Sequence, residues 1–290
     1  MAFQVGVKKR TGFGGYTKEG LFYVILIGYT CITAIPFLWS ILTSFKTQAE
    51  ASRAVPTGLP LHWTLQAWTG PNGVLNVTNG DFPHWFLNSV IVAALVTVGN
   101  LFFDSLAGYA FARLRFPGRS TLFFIIIGTM MVPAAMTLLP IFVILVKLHW
   151  INTFQGLAVP FMVSAFGIFL MRQFFMSLPL ELEEAARVDG LSRFGIYWRI
   201  ALPLSKPALA TLGILQFQGN WDSFLMPSFI ASSSSMYTLP VGLQHYAFAY
   251  ITYWPQEMAG SMIVIIPIMI LYIFLQRFFI EGISRSGVKG

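Results

Sequence analysis

Long apolar runs constrain this chain more than any other feature of its sequence. A transmembrane helix needs roughly 20 mostly apolar residues to cross about 30 Å of hydrocarbon. Six runs meet this requirement, and they cover residues 21–42, 86–111, 121–146, 154–175, 207–230 and 258–279. Of the 290 residues, 56% are hydrophobic and only 10% are charged, whereas an ordinary soluble domain has about 25% charged residues. The sequence therefore predicts an all-α integral membrane protein with six transmembrane helices.

The third run is the least regular, because Pro133 and Pro140 interrupt it. Proline cannot donate a backbone hydrogen bond, and its ring clashes with the preceding helical turn. We expect a kinked helix that leaves the membrane early and is followed by a short interfacial helix.

The positive residues lie mainly in alternate connecting segments. Of the 18 Lys and Arg residues, 15 fall in the amino-terminal arm, the second and fourth loops and the tail, when the adjoining helix ends are included. They are Lys8, Lys9, Arg10, Lys18, Arg113, Arg115, Arg119, Arg172, Arg187, Arg193, Arg199, Lys206, Arg277, Arg285 and Lys289. Positive residues are retained in the cytoplasm, so both termini are predicted to be cytoplasmic. The layout is then a cytoplasmic arm at 1–20 and a transmembrane domain at 21–290, with an external loop at 46–85 and a cytoplasmic tail at 280–290. The first run lacks a cleavage site of small residues and is expected to be a retained anchor.

Several functions are excluded by what the sequence lacks. The formal charge of +7 does not indicate nucleic-acid binding, because the basic residues lie between apolar runs rather than on one surface. The spans contain no nucleophile with a base and no cluster of metal ligands. No Gly-x-x-x-x-Gly-Lys-Ser/Thr loop is present to bind nucleotide phosphates. We therefore expect no metal, no cofactor and no enzymatic activity in this chain.

The segment 177–206, between the fourth and fifth runs, carries the most informative pattern. Pro179 suits the first turn of a helix, and Glu183 and Arg187 are spaced i,i+4 in the favourable order. Gly190 can end this helix in the left-handed conformation, and a second short helix is expected from Ser192. The segment is predicted to form a helix-turn-helix on the cytoplasmic face.

One spacing within this segment is specific. Glu184-Ala185-Ala186 is followed after three residues by Gly190, and after nine more by Ile200-Ala201-Leu202-Pro203. This order resembles, without a gap, the EAA signature of permease subunits in bacterial ABC importers. The chain is similar along most of its length to the carbohydrate-uptake permeases related to the maltose-system subunit MalG, with supporting stretches at 86–89, 108–113, 167–170, 172–175, 237–243 and 287–290. It departs from that family at Ser286, where a glycine is usual.

The resemblance implies a type I ABC importer permease fold and a place in a heteromeric complex in the bacterial plasma membrane. The implied partners are a second permease subunit, two ATPase subunits and an external solute-binding protein that delivers a sugar. ATP hydrolysis would belong to the partner ATPase, and the segment 177–206 would couple it to transport. The residues implied in this coupling are Glu184, Ala185, Ala186, Asp189, Gly190, Ile200 and Pro203.

A second candidate site lies in the fifth run, where amides, a carboxylate and an indole occur together. Sugars bind to amides, carboxylates and aromatic faces, so Asn220, Trp221 and Asp222 are candidates for the substrate pathway. The alternative is that these groups join helix to helix, as polar residues often do in membranes. Consecutive helical residues point about 100° apart, so the pathway interpretation requires a kink or unwinding here. Asp104, in the second run, is expected to have a packing role.

A secondary transporter is the competing interpretation of the same spans. It also needs about six or more helices and buried carboxylates, but it acts without an ATPase. The sequence leaves the sugar open as well, because specificity would be shared with the binding protein and the second permease. Oligosaccharides, polyols and glycerol phosphate are all candidate substrates.

Overall fold

The computed structural model describes residues 13–76, 81–244 and 252–286. Residues 1–12 of the predicted arm and 287–290 of the predicted tail lie outside this part of the chain. Within it the helices, in chain order, are α1 Phe13–Ser44, α2 Gln48–Ala51, α3 Gln66–Thr69, α4 Phe82–Arg113, α5 Arg119–Thr129, α6 Ala134–Lys147, α7 Phe154–Ala158, α8 Ala165–Ser177, α9 Leu180–Val188, α10 Arg193–Ile196, α11 Leu202–Leu204, α12 Lys206–Trp221, α13 Leu225–Ile230, α14 Leu239–Leu243 and α15 Trp254–Ser286. A π-helical turn at Tyr197–Ala201 and 3₁₀ turns at Val159–Phe161 and Ser234–Met236 complete the set.

Three of the six predicted spans are unbroken helices. They are Gly20–Ser44 within α1, the whole of α4, and Trp254–Phe274 within α15. The other three are pairs of helices that bend at a short break: α5 with α6 by 100°, Phe154–Phe161 with α8 by 41°, and Arg193–Leu204 with α12 by 78°. With each bent pair counted as one span by length and composition, the described helices give up to six spans, and the predicted all-α architecture is confirmed. In the last pair Arg193–Leu204 belongs to the segment 177–206, so the fifth predicted span itself begins with α12.

The break in the third span has a local cause. Helix α5 ends at Thr129, and α6 begins at Ala134, directly after Pro133. A proline has no amide hydrogen to donate, and it disfavours helical backbone in the residue before it. Pro140 lies inside α6 instead, so only the first of the two prolines separates the helices.

Helix α4 lies at the centre of the fold, and α8 and α12 pack along it. At Gly108 the backbones of α4 and α8 come very close. A Cβ atom at this position would lie 2.7 Å from Cβ of Met171 and 2.9 Å from the backbone N of Arg172. Small residues permit such close approach between membrane helices. The contact fixes α8, and the loop that follows it, against the end of α4.

A buried polar contact joins three spans. Asp104 of α4 is 0% exposed, and its carboxylate accepts hydrogen bonds from the backbone N and the Oγ of Ser164 at 2.9 and 2.8 Å. Ser164 caps α8, and its Oγ also accepts a hydrogen bond of 2.7 Å from Nε2 of Gln216 in α12. A polar side chain inside a membrane protein is stabilised by partners of this kind. Asp104 therefore has the packing role expected from the sequence.

A second polar contact closes the loop after α1. The buried carboxylate of Glu50 accepts hydrogen bonds from Oγ1 of Thr57 at 2.7 Å and the backbone N of Leu61 at 2.8 Å. Nζ of Lys46 donates to the carbonyl of Thr57 and lies 4.6 Å from the centre of the Trp39 ring. The hydrogen bond from Thr57 is the largest cause that lowers the pKa of the Glu50 carboxyl. The group is therefore an acceptor at neutral pH and holds the loop together.

Candidate functional site

The helix-turn-helix predicted for 177–206 is present. Helix α9 begins directly after Pro179. Gly190, two residues beyond its end, has a φ of 81°, which is the predicted left-handed conformation. Ser192 caps α10, and its Oγ accepts a hydrogen bond of 3.2 Å from the backbone N of Gly195. The loop then continues through the π-helical turn and α11 to Lys206, the first residue of α12.

Most residues of the loop pattern are accessible. Among them Glu184, Ala185, Asp189, Gly190 and Pro203 are exposed, Ile200 is half-buried and Ala186 is buried. Large apolar side chains beside them are exposed too, with Val188 at 88%, Phe194 at 60% and Trp198 at 52%. A shallow groove runs along the turn and is lined by Asp189, Gly190, Leu191, Ser192, Phe194, Gly195, Trp198 and Arg199. An accessible apolar surface with a polar rim is typical of a protein-binding site.

The expected pairing of Glu183 with Arg187 is wrong. Glu183 points into the fold, where it is 4% exposed, and its Oε1 lies 2.9 Å from Nε of Arg113 at the end of α4. A buried charge needs an opposite charge or hydrogen bonds nearby, and among the described residues the opposite charge that Glu183 contacts is Arg113 of α4. Spacing along one helix could not identify this partner, because it belongs to another span.

The polar run of the fifth span lies where α12 ends. Helix α12 stops at Trp221 and α13 begins at Leu225, so the backbone is interrupted where the pathway interpretation requires it. Trp221 itself is 1% exposed, and its Nε1 donates a hydrogen bond of 3.0 Å to the carbonyl of Val264 in α15. Its ring stacks on Phe217 and meets Phe86 of α4 edge to face. Trp221 thus joins α12 to α4 and α15.

The two neighbours of Trp221 have different surroundings. Asn220 is half-buried, and its Nδ2 donates a hydrogen bond of 2.7 Å to the carbonyl of Gln216, one turn earlier in the same helix. Asp222 is exposed, and within the described part of the chain no hydrogen-bond donor contacts its carboxylate. A carboxylate at membrane depth is costly when it faces lipid. In the membrane this group must therefore face water or another protein chain.

The segment at residues 130–133, between α5 and α6, has an exposed backbone that the sequence did not predict. This break is exposed, with Met131 at 86%. The amides of Met130, Met131 and Val132 donate to the last turn of α5, but no donor among the described residues contacts their carbonyl oxygens. Helix α5 has 11 residues and is about 16 Å long at 1.5 Å per residue, which is about half of the roughly 30 Å needed to cross the hydrocarbon core. Pro133 signalled the break, but nothing in the sequence signalled its exposure.

Comparison with known proteins gives an independent result. Residues 104–285 match the family model described as "Binding-protein-dependent transport system inner membrane component". The matched region begins at the buried Asp104 and includes the helix-turn-helix and the polar run of the fifth span.

Two relatives are similar over most of the chain. The arabinooligosaccharides transport system permease protein AraQ of Halalkalibacterium halodurans is 37% identical over 278 residues, which cover 94% of this chain and 99% of that protein. The sn-glycerol-3-phosphate transport system permease protein UgpE of Yersinia pestis is 38% identical over 202 residues, which cover 69% of this chain and 72% of that protein.

A solved structure has the same fold. It is the crystal structure of a bacterial ABC transporter involved in the import of the acidic polysaccharide alginate, and one of its chains superposes with a TM-score of 0.78. The match covers 96% of this chain and 100% of that chain at 24% sequence identity. The likeness agrees with the six spans described above.

Proposed function

Since the chain belongs to the family of binding-protein-dependent transport system inner membrane components, we propose that it is a permease subunit of an ATP-driven sugar importer. Its fold is the type I ABC importer permease fold expected from the sequence, and it is a multi-pass membrane protein. In this role the chain forms half of the translocation pathway. A partner ATPase hydrolyses the ATP, and the chain itself catalyses no reaction.

The accessible helix-turn-helix is the observation that carries this proposal. We call residues 177–206 the coupling loop. Its outer surface presents Glu184, Ala185 and Asp189 beside exposed apolar side chains, while Ala186 packs into the fold. An ATPase that binds this surface can move the coupling loop when nucleotide binding closes the ATPase. The spans then alternate between outward-facing and inward-facing states.

The sugar class is supported by the relatives and by the polar groups near the end of α12. The two relatives are named for arabinooligosaccharides and for sn-glycerol-3-phosphate, both rich in hydroxyl groups. Asp222 has the accessible carboxylate that can accept hydrogen bonds from such hydroxyls. Asn220 is the second candidate, and Trp221 holds the neighbouring helices in place. The substrate is then an oligosaccharide, a polyol or a glycerol phosphate.

The exposed break at 130–133 supports a pathway lined partly by this chain. Non-helical backbone at membrane depth is tolerated only where protein covers it or where it lines a water-filled cavity. The carbonyl groups of Met130, Met131 and Val132 accept no hydrogen bond from the described residues. They can be satisfied if the break faces water in the translocation pathway or packs against the second permease. The proposed partners are therefore that permease, two ATPase subunits and an external solute-binding protein.

The same role sets the orientation in the bacterial plasma membrane. With both termini in the cytoplasm, the coupling loop and the tail at 280–290 lie on the ATPase side, and the loop at 46–85 faces the binding protein. The transmembrane domain extends over 21–290 and follows a cytoplasmic arm at 1–20.

Cysteine labelling tests this orientation. In a Cys31→Ser background, Ser192→Cys on the coupling loop is expected to stay unlabelled by an impermeant maleimide in intact cells and to react after permeabilisation. Leu59→Cys, at an exposed position in the external loop, is the matched control and should react in intact cells. Labelling of Ser192→Cys from outside would contradict the proposed coupling role, because the ATPase and its ATP are cytoplasmic.

A further inference from the structure

Three side chains along one face of α4 contact both halves of the coupling loop. Ser105, Tyr109 and Arg113 are spaced four residues apart, so they lie on the same side of the helix. We call them the α4 stripe. They occupy the end of α4 nearest the coupling loop and continue to its last residue, Arg113.

The first half of the coupling loop is held by an ion pair. Nε of Arg113 lies 2.9 Å from Oε1 of Glu183 in α9, and the two side chains are 7% and 6% exposed. The Nη2 group of Arg113 donates a hydrogen bond of 2.6 Å to the carbonyl of Leu178, just before α9. The hydroxyl of Tyr109 donates to the other oxygen of Glu183 at 3.4 Å. Arg113 thus fixes both the start and the first turn of α9.

The second half of the coupling loop is held against α4 by Tyr197, in the π-helical turn. The hydroxyl of Tyr197 lies 2.9 Å from Oγ of Ser105, and Tyr197 is 1% exposed. Its ring lies 5.3 Å from the ring of Tyr109, which in turn meets Phe175 of α8 edge to face at 5.5 Å. A π-helical turn often marks a functional site, and this one places an aromatic side chain against α4.

The two faces of the coupling loop are therefore distinct. The face with Glu184, Ala185 and Val188 is exposed, while Glu183, Ala186 and Tyr197 face the fold. Asp104 lies nine residues before Arg113, or about 13 Å along α4 at 1.5 Å per residue. Its carboxylate joins α4 to α8 through hydrogen bonds from Ser164. Contacts thus run without interruption from the coupling loop through the α4 stripe to Asp104.

We propose that the α4 stripe transmits motion from the coupling loop to the spans, and that the coupling loop and α4 move as one body during transport. This inference rests on the proposed function and adds to it the residues through which the motion passes. Ser105, Tyr109 and Arg113 act as positioning residues, because they contact neither the ATPase surface of the loop nor the substrate candidates at 220–222.

A reversible cross-link tests the single-body movement. Arg113→Cys and Glu183→Cys are combined in a Cys31→Ser background, and the purified transporter, with its second permease and ATPase subunits, is treated with a short reducible bis-methanethiosulfonate. Removing both charges leaves no unpaired buried charge, so the double variant is expected to assemble. Because the double variant lacks the ion pair that joins α9 to α4, ATP-driven uptake should be low before cross-linking, rise when the cross-link joins the two helices, and fall again after reduction. Uptake that the cross-link leaves unchanged would overturn the inference. Loss of uptake on cross-linking that is restored by reduction would show that the two elements separate, and would overturn the inference.

Single variants test transmission itself. Arg113→Ala leaves Glu183 buried without its partner, and we expect the sugar imported per ATP hydrolysed to fall about tenfold while the ATPase subunits stay bound. Arg115→Ala removes the same charge at an exposed position two residues later and should leave that ratio unchanged. A purely structural role for Arg113 predicts less assembled complex with an unchanged ratio, and this result would also overturn the inference.

Failure of the proposed function and failure of the α4 stripe give different results. If the chain is not an ATP-coupled importer, the wild-type complex shows no ATP-dependent uptake. If only the α4 stripe is assigned wrongly, the wild type couples normally and the cross-linked or Arg113→Ala complex gives one of the contradicting results above.

Discussion

Gly190→Val is expected to abolish coupled transport while the protein still inserts into the membrane. Gly190 has a φ of 81°, and a side chain with Cβ disfavours this region by about 1–2 kcal/mol, with a larger penalty for a β-branched residue. No atom lies within 4 Å of a Cβ placed there, so the effect comes from the backbone alone. The turn between α9 and α10 must then change shape, and the exposed surface around it is lost. Uptake and ATP hydrolysis are measured together in proteoliposomes, and uptake should fall at least about tenfold.

Gly190→Asn provides the matched control. Asparagine adopts the left-handed conformation more readily than other residues with a Cβ atom, so this variant should keep most of the coupled uptake. Glu184→Lys tests the surface rather than the turn, because it reverses a charge at an exposed position on α9. If Gly190→Val and Glu184→Lys both transport at wild-type rates, the coupling loop has no part in coupling.

Trp221→Ala is expected to prevent assembly of the transporter. The side chain is 1% exposed and contacts three helices, and removing a large buried aromatic side chain costs about 3–5 kcal/mol. That is a large part of the total stability of a typical domain, about 5–15 kcal/mol. The measurement is the amount of complex that elutes as a single species after extraction in mild detergent.

Conservative variants separate bracing from transport. Trp221→Phe keeps the stacking with Phe217 and loses only the hydrogen bond to Val264, so it should assemble. Asp222→Ala should also assemble, but with reduced sugar uptake, because its exposed carboxylate is the pathway candidate. Asn220→Ala is expected to behave like Asp222→Ala if its amide contacts the sugar. Wild-type assembly and uptake for all three alanine variants would remove this cluster from both roles.

Hydrophobicity and backbone chemistry explain what the sequence predicted correctly. The apolar runs identified six spans, because each lipid-crossing helix must satisfy a length requirement that few other segments meet. Pro133 identified the break after α5, and Gly190 identified the left-handed turn after α9, because each residue has a backbone property that its neighbours lack. These are local properties, and the structure confirms both.

Contacts between distant segments could not be predicted in the same way. Glu183 has Arg187 one turn away on its own helix, yet it pairs with Arg113 of α4, because packing α9 against α4 buries the glutamate and leaves the nearer arginine exposed. Trp221 follows the same logic. Its indole suited a sugar site, but Trp221 is buried among α4, α12 and α15, and these contacts favour the bracing role. The order of residues along one helix does not determine which other helices pack against it.

The central claim is that this chain transports only when an ATPase acts on its coupling loop. For the most direct test, the complex is extracted in mild detergent and purified by an affinity tag on this chain. It is then reconstituted into proteoliposomes with the external binding protein. Uptake of labelled oligosaccharides, polyols and glycerol phosphate is measured with and without ATP. We predict that ATPase subunits co-purify, and that uptake of one of these substrates requires ATP and is lost in Gly190→Val. Uptake without ATP by the chain alone would contradict the claim and would favour a secondary transporter.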